Sequence, residues 1–131
     1  MGLFENIFGR TNGNMKKEVK RIPWITLTSL GQLDEIVQNS NSKTQVIFKH
    51  STTCGISRMV LNMFTQNYGL SDEQMDFYFL DLHSHRDVSS EVGNKFQVFH
   101  QSPQLLVIKN GTAVAHESHG AITEIDLMKY V

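Results

Sequence analysis

Apolar and polar positions alternate in a regular way from Arg21 to the end of the chain. Five short segments are rich in β-branched and aromatic residues, which is typical of strands. They cover residues 24–27, Thr44–His50, 77–80, Gln104–Lys109 and 112–117. The last two are joined by Asn110-Gly111, a dipeptide favoured in type I′ turns, so the pattern predicts a hairpin there.

Between and after these strands, apolar residues recur with the spacing of amphipathic helices. Ser29 and Gln32 have the spacing of a capping box, which predicts that a helix begins after Ser29. Further helices are expected over 55–68, around Val88, Val92 and Phe96, and over 123–131. Gly69 is the predicted stop signal of the helix over 55–68. The order βαβαβαββα predicts an α/β fold with a mixed central sheet flanked by helices.

The first twenty residues differ from the rest of the chain. Leu3, Phe4, Ile7 and Phe8 form a short apolar stripe at helical spacing, and a polar linker follows over 11–18. The stripe is either a docking peptide for a partner or a membrane surface, or a segment that packs on its own domain or on a neighbour. The second interpretation is favoured, because so short a helix is marginal alone. Residues 1–20 are therefore interpreted as an extension and 21–131 as the folded domain.

Composition narrows the class of protein. A chain of 131 residues with 40% apolar and 19% charged residues suits one globular domain. Its net charge of −1 gives no basic surface for nucleic acid. No apolar run is long enough for a membrane helix, and no export signal is expected at the N-terminus. With a single cysteine, the expected location is the cytoplasm, where thiols stay reduced.

Cys54 is the only cysteine, and it lies where a predicted strand gives way to a predicted helix. A helix N-terminus presents free N–H groups and partial positive charge, which stabilise a thiolate. The alternative is a buried structural cysteine, a common role for a free thiol. The small polar neighbours, among them Thr53 and Gly55, favour the reactive thiol.

Ser57 stands three residues after Cys54, where Cys-x-x-Cys redox proteins carry their second thiol. No intramolecular disulfide can form in a chain with one cysteine. A mixed disulfide on Cys54 must therefore be resolved by a thiol from outside. Ser57 itself either acts at Cys54 or only makes hydrogen bonds at the helix end.

Four histidines are candidate metal ligands by their spacing. His83 and His85 form one close pair in the sequence, and His116 and His119 form another. Neither pair has a third ligand at a suitable spacing, so solvated surface is favoured and no metal site is expected. His50 either adds positive charge near Cys54 or only ends its strand.

Three motifs resemble those of thioredoxin-like proteins in order and spacing. They are Cys54-Gly55-Ile56-Ser57 after a strand, Ser102-Pro103 at the start of the hairpin, and His119-Gly120-Ala121-Ile122 before the last helix. Within that superfamily the chain, from about Arg21 onward, is most similar to the monothiol bacilliredoxin (YtxJ-like) family. The setting Lys49-His50-Ser51 followed by Thr53 and Cys54 carries this closer resemblance.

The resemblance implies a thiol-disulfide oxidoreductase that removes bacillithiol from the mixed disulfides of client proteins. Cys54 would be catalytic, and Thr53, Gly55 and Ser57 would form the supporting loop. Bacillithiol would be a co-substrate, with no bound cofactor. The implied substrate-binding residues are Ser102, Pro103, in a cis peptide bond, and Gly120.

The chain departs from related patterns in three places. Gly55 stands where the family often has proline. Phe48 replaces the buried acid that thioredoxins keep six residues before the cysteine, and the Gly-Gly pair of glutaredoxins is absent. Lys49, Arg58 and Lys95 are candidate charge partners for the carboxylates of the small thiol.

Two other functions compete with this interpretation. Cys-Gly-Ile-Ser differs by one residue from the Cys-Gly-Phe-Ser motif of monothiol glutaredoxins, which bridge a [2Fe–2S] cluster between subunits. One thiolate per chain would then require a dimer and a small thiol as further ligands. The second alternative is a non-enzymatic adaptor with the same fold and an inert Cys54.

Overall fold

A computed structural model describes residues 22–68 and 73–131 of the chain. Within them, strands and helices alternate before a closing hairpin. The elements are β1 (Trp24–Thr26), α1 (Leu30–Asn39), β2 (Thr44–His50), α2 (Gly55–Gln66), β3 (Met75–Asp81), α3 (Arg86–Phe96), β4 (Gln104–Lys109) and β5 (Thr112–Ser118). Two 3-10 helices follow, His119–Glu124 and Leu127–Tyr130. The predicted extension over 1–20 and the stop signal at Gly69 lie outside the described residues.

The five strands form one mixed sheet in the order β1-β3-β2-β4-β5. β3 is parallel to both β1 and β2, whereas β4 is antiparallel to β2 and to β5. The predicted mixed sheet is therefore confirmed. The hairpin between β4 and β5 turns at Asn110 and Gly111, whose φ angles of 51° and 79° are the positive values that a type I′ turn requires.

Two apolar layers cover the faces of this sheet, and alternate residues of each strand contribute to them. In β2, Ile47 faces the cluster that α1 and α3 complete, while Val46 and Phe48 face the cluster that α2 completes. The predicted capping box at the start of α1 is present, because Ser29 and Gln32 bond each other's backbone reciprocally. Helices therefore pack on both faces of the sheet, as expected.

The predicted closing helix over 123–131 is wrong. The structure has instead the two short 3-10 helices, separated by extended backbone at Ile125 and Asp126. The Asp126 side chain accepts a hydrogen bond from the Met128 N–H, and this local bond competes with a continuous helix. Ile125 and Leu127 still pack on the core, so the apolar pattern was satisfied by a different backbone.

The register brings three chain segments to one edge of the sheet. His50 at the end of β2 pairs with Asp81 at the end of β3, and Lys49 pairs with Gln104 at the start of β4. The loop after β2, the loop after β3 and the loop before β4 therefore meet there. Within the described residues, no helix is long and apolar enough to cross a membrane.

Candidate active site around Cys54

Cys54 is the N-cap residue of α2, with extended backbone at φ −109° and ψ 119°. Its N–H donates to the Ser51 carbonyl at 3.3 Å, and its carbonyl accepts from the Arg58 N–H at 3.2 Å. The side chain is partly exposed and makes no capping hydrogen bond. No acidic residue lies in the first turn of α2. The thiol therefore has no side-chain bond to break before it reacts, and it stands at the positive end of a helix.

Ser57 is completely buried, and its hydroxyl ties the start of α2 to the end of β2. Its Oγ accepts from the Ser51 N–H at 3.1 Å and lies 2.9 Å from Nδ1 of His50. These are the helix-end hydrogen bonds that the sequence left as one of two interpretations. They fix the loop that carries Thr53 and Gly55, both of which are exposed.

His50 is buried and packs against the ring of Phe79, with centroids 5.3 Å apart. Burial lowers the pKa of His50, and the charge of Arg58 adds to this effect, while the nearby Asp81 opposes it. The imidazole is therefore neutral at neutral pH. His50 ends the strand and forms a hydrogen bond with the Ser57 hydroxyl. It adds no positive charge near Cys54.

His83 belongs to this loop network, although the sequence placed it on solvated surface. Its Nε2 lies 2.7 Å from the Ser51 Oγ and 3.2 Å from the Thr53 Oγ1. The backbone N–H of His83 donates to the Asp81 carboxylate at 3.1 Å. His83 is exposed, as expected, but it is not free. The parallel pairing of β2 and β3 is the signal that could have found it, since residues just after two such strands are neighbours.

Pro103 immediately precedes β4 and follows a cis Ser102–Pro103 peptide bond, which confirms the geometry that the resemblance implied. Its carbonyl accepts from the His119 N–H at 3.0 Å, which places Gly120 at the same edge of the sheet. The 3-10 helix that contains Gly120 also contacts α2. The structure thus brings all the predicted substrate-binding residues to the edge of the sheet where Cys54 lies.

No group of three or more His, Cys, Asp or Glu side chains within residues 22–68 and 73–131 is arranged to hold a metal ion. The Nε2 atom of His83, which could otherwise bind a metal, lies within hydrogen-bond distance of the Ser51 and Thr53 hydroxyls.

The sheet order, the cysteine at the start of α2 and the cis-proline loop together define a thioredoxin fold. The structure is similar to thioredoxin from Malassezia sympodialis, at 22% identity and a TM-score of 0.64, over 82% of this chain and 95% of that one. It is similar to Schistosoma mansoni thioredoxin at 19% identity and a TM-score of 0.63, with the same coverage of 82% and 95%.

Two further matches narrow the class. A protein described as a proposed oxidoreductase with a thioredoxin fold is 33% identical, over 76% of this chain and 85% of that one, with a TM-score of 0.65. Residues 25–127 match the family described as monothiol bacilliredoxin BrxC. The chain belongs to this monothiol bacilliredoxin family of thioredoxin-fold oxidoreductases.

Proposed function

We propose that this protein is a bacillithiol-dependent, monothiol thiol-disulfide oxidoreductase that removes bacillithiol from the mixed disulfides of client proteins in the cytoplasm. The observation that carries the proposal is the placement of Cys54. The only thiol of the chain is partly exposed at the N-cap of a twelve-residue helix, with no side-chain hydrogen bond to hold it. Membership of the bacilliredoxin family supports bacillithiol as the small thiol.

In the first step, the Cys54 thiolate attacks the bacillithiol sulfur of the client mixed disulfide. The client–bacillithiol S–S bond breaks, its electron pair leaves with the client sulfur, and that thiolate takes a proton from water. A new disulfide joins Cys54 to bacillithiol. The partial positive charge at the start of α2 favours the attacking anion.

In the second step, the thiolate of another bacillithiol attacks the bacillithiol sulfur held on Cys54. Cys54 leaves as a thiolate, and bacillithiol disulfide is released. Overall, the client thiol is regenerated, one bacillithiol thiol is consumed, and the bacillithiol taken from the client leaves in bacillithiol disulfide. An outside thiol is needed because the chain has no second cysteine and Ser57 cannot form a disulfide.

The remaining site residues act on the substrate without reacting. Ser102 and Pro103 are the proposed platform for the bound disulfide, since the partly exposed Ser102 lies outside the strand pairing and its backbone can pair with a ligand, while the buried Pro103 ends the strand there. Gly120 borders the same edge, and nothing within 4 Å would meet a Cβ there, so the space beside it is open. Thr53, Gly55 and Ser57 hold the loop that presents Cys54.

The test uses the full chain in its reduced form and a client protein carrying a bacillithiol mixed disulfide. Mass spectrometry should show the client losing bacillithiol while Cys54 gains it, and added bacillithiol should then restore the free thiol. Cys54→Ser is the matched control and should do neither. A wild-type protein that leaves the client unchanged would contradict the proposal, as would a brown anaerobic preparation holding an iron–sulfur cluster on Cys54.

A further inference from the structure

Lys49 is a fully buried lysine at the edge of the sheet that carries Cys54. Its Nζ donates to the Ser89 carbonyl at 3.2 Å and lies 3.2 Å from Nδ1 of His100. Both partners are neutral, and no carboxylate of the described residues lies within 4 Å of the ammonium. The side chain has three donors, so two partners leave it incompletely satisfied.

An ammonium buried without a counter-charge is costly. Burial lowers the pKa of Lys49 from 10.5 to about 8, so the charge persists at neutral pH. Since an ammonium only donates, Nδ1 of His100 must accept from it. Burial and the neighbouring Lys49 both lower the pKa of His100, so its ring is neutral and carries its proton on Nε2. His100 thus presents a donor on the side away from Lys49.

A surface cavity of ≈ 380 Å³ lies beside His100. It is lined by Leu82, His83, Arg86, Ser89, Ser90 and His100. His83 bonds the Thr53 hydroxyl, next to Cys54, and His100 bonds Lys49. The cavity is therefore bordered by one histidine that contacts the neighbour of Cys54 and by another that contacts the buried ammonium.

The lining contains basic groups and no carboxylate. Asp81 and Asp87, which are next in the chain to the lining residues Leu82 and Arg86, both accept local hydrogen bonds. The Asp81 carboxylate accepts from the His83 N–H and the Ser84 hydroxyl, and Asp87 accepts from the Val88 N–H. Arg86 is exposed at the first position of α3, where a guanidinium can form paired hydrogen bonds with a carboxylate.

We propose that this cavity binds the carboxylates of the small thiol held in disulfide linkage to Cys54, with Arg86 and His100 as ligands. Lys49 is a positioning residue, because it fixes the His100 tautomer and adds positive charge beside the site. This inference rests on the proposed function. It also decides among the candidate charge partners, since Lys95 is paired with Asp34 at 3.1 Å and Arg58 lies outside the lining.

The first test compares two mixed disulfides of one client, one with bacillithiol, whose malate group is anionic, and one with neutral 2-mercaptoethanol. The readout is the ratio of their kcat/KM values. Arg86→Gln should lower this ratio about tenfold, the effect of losing one charge-assisted pair, mainly through KM. Arg58→Gln removes an equally positive side chain near Cys54 but outside the cavity, and it should leave the ratio unchanged.

The second test needs no disulfide chemistry. Malate is titrated into the reduced protein while the imidazole NMR signals of His83 and His100 are followed. Both should move saturably in the wild type, more weakly in Arg86→Gln, and not at all with the neutral dimethyl ester of malate. Lys49→Met should weaken the His100 response in the same direction. Should that variant fail to fold, Arg86→Gln decides, because its side chain is exposed.

The proposal is overturned if both arginine variants change the kcat/KM ratio equally, or if malate moves neither histidine. Its failure is distinct from that of the proposed function. A wild-type protein that attacks neither mixed disulfide refutes the proposed function, and the malate titration then still decides whether the cavity binds carboxylates.

Discussion

The Ser57 hydroxyl lies 2.9 Å from Nδ1 of His50 and accepts a hydrogen bond from the Ser51 N–H at 3.1 Å. A side chain that stands where dithiol redox proteins keep a second thiol therefore joins the start of α2 to the end of β2. Both bonds are buried, so each contributes to holding the loop that ends at Cys54.

Ser57→Cys is expected to change the chemistry of the protein. A thiol three residues after Cys54, at the start of the same helix, can compete with outside bacillithiol for the mixed disulfide. We expect an intramolecular disulfide to accumulate on oxidation and the bacillithiol adduct to become short-lived, as followed by mass spectrometry under non-reducing conditions. A stable adduct in this variant would mean that the residue 57 side chain does not reach Cys54.

Ser57→Ala is the matched control for that experiment, since it removes the hydroxyl without adding a thiol. It leaves the buried Ser51 N–H without its acceptor, which costs about 1–3 kcal/mol of unfolding free energy. Urea unfolding measures this loss. If Ser57→Ala is as stable as the wild type, the two hydrogen bonds do not hold the loop.

Because the pKa of His50 is lowered in the folded protein, we expect the protein to lose stability on mild acidification. The pKa of His50 in the folded protein lies below the usual 6.5, chiefly because of burial, so the unfolded chain binds a proton more readily. The unfolding free energy should therefore fall as pH drops below about 6.5 and level off below the folded-state pKa. Urea unfolding between pH 7.5 and about 5 tests this, with pH values chosen around the reference pKa of histidine.

His50→Asn is the comparison for this measurement, because it keeps an acceptor for the Ser57 hydroxyl and removes the titrating ring. Its unfolding free energy should depend less on pH than that of the wild type. His100 has a pKa lowered in the same direction, so His100→Asn is measured in parallel. An unchanged slope in His50→Asn would assign the acid sensitivity to other groups.

The strands and the first helix could be predicted because local pattern and final packing agree. Residues Thr44–His50 form a strand buried along its whole length, and the Ser29–Gln32 capping box starts its helix as predicted. The prediction of a closing helix was wrong because the Asp126 side chain accepts a hydrogen bond from the Met128 N–H. The apolar spacing of Ile125 and Leu127 does not reveal this bond. Short polar side chains can favour a turn over a helix through local hydrogen bonds to the backbone, and the hydrophobic pattern carries no information about these bonds.

Within the site, the sequence located what lies near Cys54 along the chain. It missed His83 as a loop partner and had no account of His100, because both reach the site through the pairing of separate strands. Lys49 was recognised as a charged candidate, but its burial depends on α3 and the loop before β4 packing over it. The cis bond before Pro103 followed from family resemblance, since a trans bond is the ordinary expectation for proline.

Cys54→Ser should abolish thiol exchange while raising stability. The wild-type N-cap makes no side-chain hydrogen bond, whereas serine is a preferred N-cap whose hydroxyl can accept from the first turn. We expect a gain of about 0.5–1 kcal/mol in unfolding free energy. Urea unfolding checks the gain, and a mixed-disulfide assay checks the activity. Residual reductase activity would refute a single-thiol mechanism, because the chain has no other thiol to replace Cys54.

Lys49→Met should remove a stability cost that the wild type carries for its site. The pKa of Lys49 falls from 10.5 to about 8 on folding, so the unfolded chain binds more protons between these values. The wild-type unfolding free energy should therefore rise with pH from about 8 to 10.5, and this contribution should be absent in Lys49→Met.

At neutral pH the same substitution replaces a buried ammonium with an apolar side chain of similar length, so we expect the variant to be at least as stable as the wild type. Lys95→Met is the control, because it removes an ammonium that is partly exposed and paired with Asp34. Urea unfolding of the wild type and both variants at pH 7, 8 and 10 measures how the unfolding free energy of each depends on pH.

An equal dependence of unfolding free energy on pH in wild type and Lys49→Met would show that the Lys49 charge is well solvated. A lower stability at pH 7 would show that the bonds to Ser89 and His100 outweigh the cost of burial. A stable Lys49→Met protein that discriminates less between anionic and neutral mixed disulfides would instead mean that the buried charge is retained for binding.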